Sequence, residues 1–300
     1  RKRKNRWFAF KHHRNQDKND EPIPPDSTLH PNPQENNIAN ASPAILDSSP
    51  QPNIRVNFLG AFEVRLNGTP IQEWKGKKSK QVFAFLAMKR HPVVRDQLMD
   101  HFWPDSTPAS ARNCLNVTLH HIRSCLQDES PDMDCIVFKD ESYCLNPDLT
   151  MITDVQQFRD HVQQGRKYER EKQIQAALRE YEKAASIYHG DFLQEFQYEV
   201  WCDLERENLK ETYILILNKL SHYFSLNGKP QTAIELCNKI LQEDRCREDV
   251  HRRLMRSYYR VGQKDRALKQ YQKCTEYLQA DLEAEPSQMT EKLYQKSRSS

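Results

Sequence analysis

The sequence predicts a multidomain chain: an α+β domain of one small sheet, three helices and a closing hairpin, followed by an all-α domain of repeated helix pairs. Three observations carry that prediction. Between Ile54 and Leu66 apolar and polar side chains alternate around Gly60, the period-two signature of half-buried strands. From Lys77 to Leu126 the apolar spacing turns helical, with a break at Trp103-Pro104. Beyond Asp154 the chain repeats itself at 34 residues, with Leu220 recurring as Leu254, Phe224 as Tyr258, Gly228 as Gly262, Ala233 as Ala267 and Ile234 as Leu268. That is the tetratricopeptide period, with a small residue where two helices approach and Gly just after a helix.

The elements follow in order. Residues 1–20 carry eight Lys/Arg against Asp17 and Asp20, and residues 21–53 hold eight of the sixteen prolines, four acids and no Lys or Arg. Neither stretch has the apolar surface to offset the entropy of ordering it, so 1–53 reads as a basic segment and a flexible linker. Strands are expected at 54–59, 62–66 and 71–74, with Asn67-Gly68 as a hairpin turn. Lys77–Lys89 reads as a helix with Val82, Phe85, Leu86 and Lys89 on one buried face and its edge. A second helix covers about 95–102. Thr107 as N-cap and Pro108 at the first helical position open a third, running to about Leu126. Cys135–Phe138 and Tyr143–Leu145 form a hairpin across Lys139-Asp140-Glu141-Ser142. Sheet, three helices and hairpin make a winged helix-turn-helix over 54–148, and the leading sheet narrows it to the type of OmpR-like response regulators. Residues 151–296 form the tetratricopeptide-like domain, with an imperfect earlier copy near Ala176-Ala177-Leu178.

Composition excludes some classes. The longest apolar run, Val82 to Met88, is seven residues, far short of the ~20 that span a membrane. The net charge of +3 hides a basic block: 54–127 carries eleven basic and five acidic residues, 128–148 one and seven, and 149–300 25 and 24. A basic block on a foldable segment is the electrostatic footprint of a nucleic-acid binder, and a solvated face is its ordinary alternative. The eight cysteines (114, 125, 135, 144, 202, 237, 246 and 274) form no Cys-x-x-Cys pair. They read as free thiols of a reducing cytoplasm, with a Cys135–Cys144 bridge as the alternative. Cys114, His121 and Cys125 share a helical stripe, but seven residues separate the first two, ~10 Å along the axis and too far for one ion. No metal and no cofactor are expected. The carboxylates are dispersed and no nucleophile has a recognisable base, so no enzyme is expected either.

Six stretches form one pattern across both halves: Ser110-Ala-Arg-Asn-Cys-Leu-Asn-Val with the following His121-Ile-Arg123, Gln97-Leu-Met-Asp-His-Phe-Trp-Pro-Asp105, Tyr188-His-Gly-Asp-Phe-Leu193, Trp201-Cys-Asp-Leu-Glu-Arg206, Leu254 to Gly262, and Leu282-Glu-Ala-Glu-Pro-Ser287. Through them the chain resembles one family, the Streptomyces antibiotic regulatory proteins, whose second half is the bacterial transcriptional activator domain. It covers about 54–296. His121 stands where the family has the first Arg of Arg-x-Arg, and no Gly-x-x-x-x-Gly-Lys loop or acidic receiver domain is present. The resemblance implies sequence-specific binding to double-stranded promoter DNA, often at direct repeats that would seat two copies, and recruitment of RNA polymerase.

On a helical wheel Leu115, Leu119, Ile122 and Leu126 form a core stripe. Asn113, Val117, His120 and Ser124 point the opposite way, with Asn116 and His121 at the margins and Arg112 and Arg123 flanking. Asn can pair bidentately with adenine, Val can meet a thymine methyl, and Arg can hold phosphate or guanine. Lys75, Lys77, Lys78 and Lys80 lie at the corner before the first helix and are candidates for the DNA backbone. In the second domain Arg252, Arg253, Arg256 and Arg260 could line a surface for a partner peptide, while the aromatics, such as Tyr181, Phe192 and Trp201, are packing residues.

A tetratricopeptide adaptor whose winged helix binds protein is the competing reading, and the basic block argues against it. The start at Arg1 without Met suggests a piece of a longer polypeptide. The cluster Arg1-Lys-Arg-Lys-Asn-Arg-Trp7-Phe8 fits either the cytoplasmic flank of a missing upstream membrane tether or a solvated tail adding DNA affinity. A fragment ending near Asp148 is expected to keep promoter binding and to lose activation.

Overall fold

A computed structural model describes residues 54–127 and 134–299. The basic segment, the linker and the tether reading lie outside them, as do residues 128–133 of the acidic stretch. Alternation at 54–66 builds β1 (Ile54–Asn57) and β2 (Glu63–Leu66), paired antiparallel with Ile54 opposite Leu66. Asn67 and Gly68 both take positive φ, 50° and 90°, which matches the turn to the strand twist. The third strand is β3 (Thr69–Pro70) and not 71–74. Pairing resumes directly after the two-residue turn, the Ile71 N–H still reaches the Val64 carbonyl, and the chain then leaves the sheet.

Helices α1 (Lys77–Lys89), α2 (Arg95–Phe102) and α3 (Pro108–Gln127) stand where the apolar spacing and the prolines put them. Thr107 caps α3, its hydroxyl and carbonyl accepting from the N–H groups of Ser110 and Ala111. Between α1 and α2 lies β4 (Val93–Val94), which joins the wing hairpin β5 (Ile136–Lys139) and β6 (Ser142–Leu145) in the order β4-β6-β5. The wing turn is only Asp140-Glu141, both left-handed at φ 50° and 58°, where a four-residue turn was expected.

A last strand, β7 (Met151–Thr153), runs parallel to β1 and extends the leading sheet to β3-β2-β1-β7. The chain is therefore not simply helical after the wing. Thr153 then caps α4 (Asp154–Arg170), and α5 (Ile174–Ile187) packs against it. After an irregular stretch come α6 (Asp203–Leu226), α7 (Pro230–Glu243), α8 (Glu248–Arg260), α9 (Lys264–Leu282) and α10 (Gln288–Ser299). The repeat positions do as expected: Ala233 and Ala267 are fully buried between helices, and Gly228 and Gly262 supply left-handed residues at φ 72° and 76° after α6 and α8. Among the described residues no helix is long and apolar enough to cross a membrane.

The winged helix and the repeat domain share one hydrophobic core. The stretch between α5 and α6 reaches across: Phe192 stacks on Phe58 at 5.4 Å, Phe196 meets Phe62 at 6.0 Å, and Trp201 wedges against Phe85 at 5.3 Å. Backbone bonds fasten the seam, from Leu193 N–H to the Phe58 carbonyl at 2.8 Å and from Gly60 N–H to the Asp191 carbonyl at 3.1 Å. Gly60 sits at φ +98°, where a side chain would be strained, and a Cβ there would crowd the His189 carbonyl carbon at 3.3 Å. Arg206 holds the crossing stretch from behind, donating to the carbonyls of Phe192 (3.0 Å) and Phe196 (3.1 Å). This contact corrects the one-faced reading of α1, which is buried nearly all round, Ser79 and Gln81 included. Sheet and α3 cover one side, and Gln81 hydrogen-bonds Glu199 of the repeat domain on the other.

Of the four arginines expected to line a surface in the repeat domain, Arg256 and Arg260 are exposed, Arg252 is half-buried and Arg253 is buried. Arg253 is buried and donates to Asn218 at 2.7 Å and Ser221 at 2.9 Å, Arg252 donates to Thr290 at 3.0 Å, and Arg260 reaches the Ser225 carbonyl. These groups tie helices together. His251, buried beside them, bonds the Arg245 carbonyl through Nε2 at 2.9 Å and the Gln270 amide through Nδ1 at 2.7 Å. Burial holds its pKa below the ordinary value, against the opposing pull of Glu248 and Asp249. The unfolded chain thus takes up a proton near pH 6.5 that the folded one refuses, so this stability is present above about pH 6.5 and lost as pH falls through it. Urea midpoints should drop between about pH 7.5 and 5.5, and His251→Gln should flatten the drop. An equal drop in the variant would reassign it.

Candidate nucleic-acid interface

α3 sorts its side chains as the wheel requires. Leu115, Leu119, Ile122 and Leu126 are buried against α1 and α2. Arg112, Asn113, Asn116, Val117 and His120 are exposed together on the outer face, and Val117 is 46% exposed. His121, Arg123 and Ser124 are half-buried at its edges. No acidic residue occurs anywhere in α3, so no side chain of the helix itself opposes an anion. Leu119→Ala is expected to cost ~2–5 kcal/mol through a core cavity. Thermal unfolding checks it, and the binding profile of the remaining folded protein should be unchanged.

The structure separates residues that the sequence grouped. Lys75 donates to Ser124 Oγ at 2.5 Å, which carries its charge onto the C-terminal part of α3. Lys77 and Lys78 are exposed at the start of α1, with Lys78 over the Phe102 ring at 5.5 Å. Lys80 is paired with Glu195 of the repeat domain at 2.6 Å and sits over Phe62, so its charge faces the seam. Arg123 donates to the Ile136 carbonyl at 2.9 Å and lies 3.5 Å from Asp134. As folded, Arg123 ties α3 to the wing and has no side open like that of Arg112. Sequence reasoning missed this contact and Lys75's approach because both partners lie far along the chain.

The wing itself is held by Arg95, whose N–H donates to the Glu141 carbonyl at 2.9 Å and whose guanidinium pairs with the Glu141 carboxylate at 2.5 Å. That pair neutralises one of the two acids at the wing tip, and Lys139 and Phe138 are exposed beside it. Cys135 and Cys144 are not joined in a disulfide. Burial, reinforced by Asp134, pushes the Cys135 thiol up to about 11, so it stays protonated and unreactive near neutrality. Among the described residues no group of three or more His, Cys, Asp or Glu is placed to hold a metal ion.

Comparison with known proteins bears on the whole arrangement. Residues 153–298 match the family model of the bacterial transcriptional activator domain. The chain is 24% identical to the transcriptional regulatory protein MoaR1 of Mycobacterium tuberculosis over 254 residues, 84% of this chain and 81% of that protein. It is 24% identical to the regulatory protein DnrI of Streptomyces peucetius over 241 residues, 78% of this chain and 88% of that one. Its fold is similar to that of Mycobacterium tuberculosis EmbR, solved in complex with a low affinity phosphopeptide, at a TM-score of 0.65 and 21% identity. That match covers 83% of this chain and 66% of the EmbR chain, just under two thirds.

Proposed function

Because the chain is a transcriptional regulator of the Streptomyces antibiotic regulatory protein type, with a bacterial transcriptional activator domain over residues 153–298, we propose that it binds double-stranded promoter DNA sequence-specifically and activates by recruiting RNA polymerase. The observation that carries the reading is the outer face of α3, where Arg112, Asn113, Asn116, Val117 and His120 stand exposed and unopposed by any acid of that helix. Set in a major groove, Asn113, Asn116 and His120 would meet base edges, and Val117 a thymine methyl. Arg112, Lys75, Lys77 and Lys78 would neutralise phosphates. The N-terminus of α3, capped by Thr107 and with no acid in its first turn, adds partial positive charge.

The repeat domain is nearly neutral by sequence and offers stacked helices instead of a phosphate-binding surface. It would meet the polymerase, and the shared core with the winged helix would set its position relative to α3. Two copies on a direct repeat and a cytoplasmic location belong to the same reading. The competing adaptor, in which the winged helix binds protein, is separated by one titration. Random duplex DNA should bind the chain at low salt, with affinity falling steeply as salt rises. No binding at low salt would favour the adaptor.

A further inference from the structure

The geometry points to the cleft between α4 and α6 as a docking groove for an acidic, amphipathic helical segment of a protein partner. The cleft holds about 880 Å³ and runs from Phe158 to Arg170 along α4 and from Asn208 to Lys219 along α6. These stretches of thirteen and twelve residues rise about 16–18 Å, the length of roughly three turns. Phe158, Val162 and Leu209 form a buried apolar floor, and Leu215 stands 42% exposed at the side. Four cations rim that floor, Arg159, Arg166, Arg170 and Lys219, against one carboxylate in the lining, Glu169.

The pairing of those cations decides what the groove prefers. Arg159 is paired with Glu205, and Lys219 with Glu169. Arg166 and Arg170 are exposed and enter no ion pair among the described residues. A guanidinium presents a planar fork that takes a carboxylate bidentately. An apolar floor beside two such forks fits a helix with leucine-like residues on one face and Glu or Asp flanking them. A basic segment is disfavoured by the same charges, and an uncharged one leaves both forks to water. The inference rests on the reading that the repeat domain meets a protein partner, and it adds the surface and the partner's chemistry.

The test uses the full chain and a labelled helical peptide with Leu on one face and Glu on its flanks, followed by fluorescence anisotropy. A control peptide replaces each Glu with Gln. The acidic peptide should bind about tenfold or more tightly than the control at low salt, and the gap should narrow as salt rises. Arg166→Glu with Arg170→Glu, both on exposed positions, should remove that gap while the melting curve and duplex DNA affinity stay as in the parent. Leu215→Ala should weaken both peptides alike. Equal binding of the two peptides, or full binding by the double variant, would overturn the proposal. So would a double variant that loses duplex DNA and keeps the peptide, which would make the groove a nucleic-acid surface. Failure of the parent chain to bind duplex at low salt would instead strike the DNA reading and leave this result standing.

Discussion

Cutting the chain after Asp148 is expected to yield a fragment that no longer folds cooperatively. The cut removes β7 from the leading sheet and strips the cover from Phe58 and Phe62, which are 2% and 5% exposed in the intact chain. It also unpairs the N–H groups of Ile54, Phe58, Leu59 and Gly60 at one edge of that sheet. Re-exposing three large side chains, these two and Phe85, costs on the order of 5 kcal/mol before any backbone bond is counted. That is comparable to the whole stability of a small domain. The fragment should show a broad, weak thermal transition and bind hydrophobic dye. This replaces the simpler expectation that it would keep promoter binding alone. A sharp transition together with parental DNA affinity would contradict the shared core.

Asp154→Ala should come next in size. Its buried carboxylate accepts from Phe58 N–H at 2.8 and 2.9 Å, from Leu59 N–H at 2.8 Å and from Val155 N–H at 2.7 Å. One side chain thus joins the start of the repeat domain to the end of β1. Burial pushes the carboxyl above its ordinary pKa, while these backbone donors pull it down. Alanine would strand three buried donors at ~1–3 kcal/mol each, so a loss on the order of 3–9 kcal/mol is expected. Asp154→Asn keeps one accepting oxygen and should lose less. Chemical denaturation of the three proteins measures it, and losses within about 1 kcal/mol of the parent would show that water satisfies these donors.

How far the sequence foretold this structure depended on the range of the interactions. α1, α2 and α3 begin and end on local signals, such as Thr107-Pro108, and were legible to within a residue or so. The repeat was legible because Ala233, Ala267, Gly228 and Gly262 obey rules internal to each helix pair. β4 and β7 were not. Two or three residues show no period, and each exists only through a partner strand 48 or more residues away. Asp140-Glu141 hid the wing turn, since Glu stands at the second left-handed position, where Gly is the usual occupant. The seam was hidden for another reason. Phe192 and Trp201 look like packing residues of their own domain, and nothing local says that they pack on the other. The outer face of α3 was legible by helical spacing alone, but spacing could not show that Arg123 bends to the wing or that Lys75 arrives at Ser124.

The most direct test compares Asn113→Ala, Arg112→Ala and Arg123→Ala across a panel of duplexes carrying single base changes in a selected site, at several salt concentrations. With α3 in the groove, Asn113→Ala should relax preference at one position by roughly 1–3 kcal/mol and leave the salt slope nearly unchanged. Arg112→Ala should weaken binding to all duplexes alike and reduce the slope by roughly one unit. Arg123→Ala, whose guanidinium is held by the Ile136 carbonyl, should leave the slope where it was and lower the melting temperature instead. Identical profiles for Asn113→Ala and Arg112→Ala would mean that α3 is turned otherwise on the DNA. Unchanged binding in both would contradict the claim that this helix reads it.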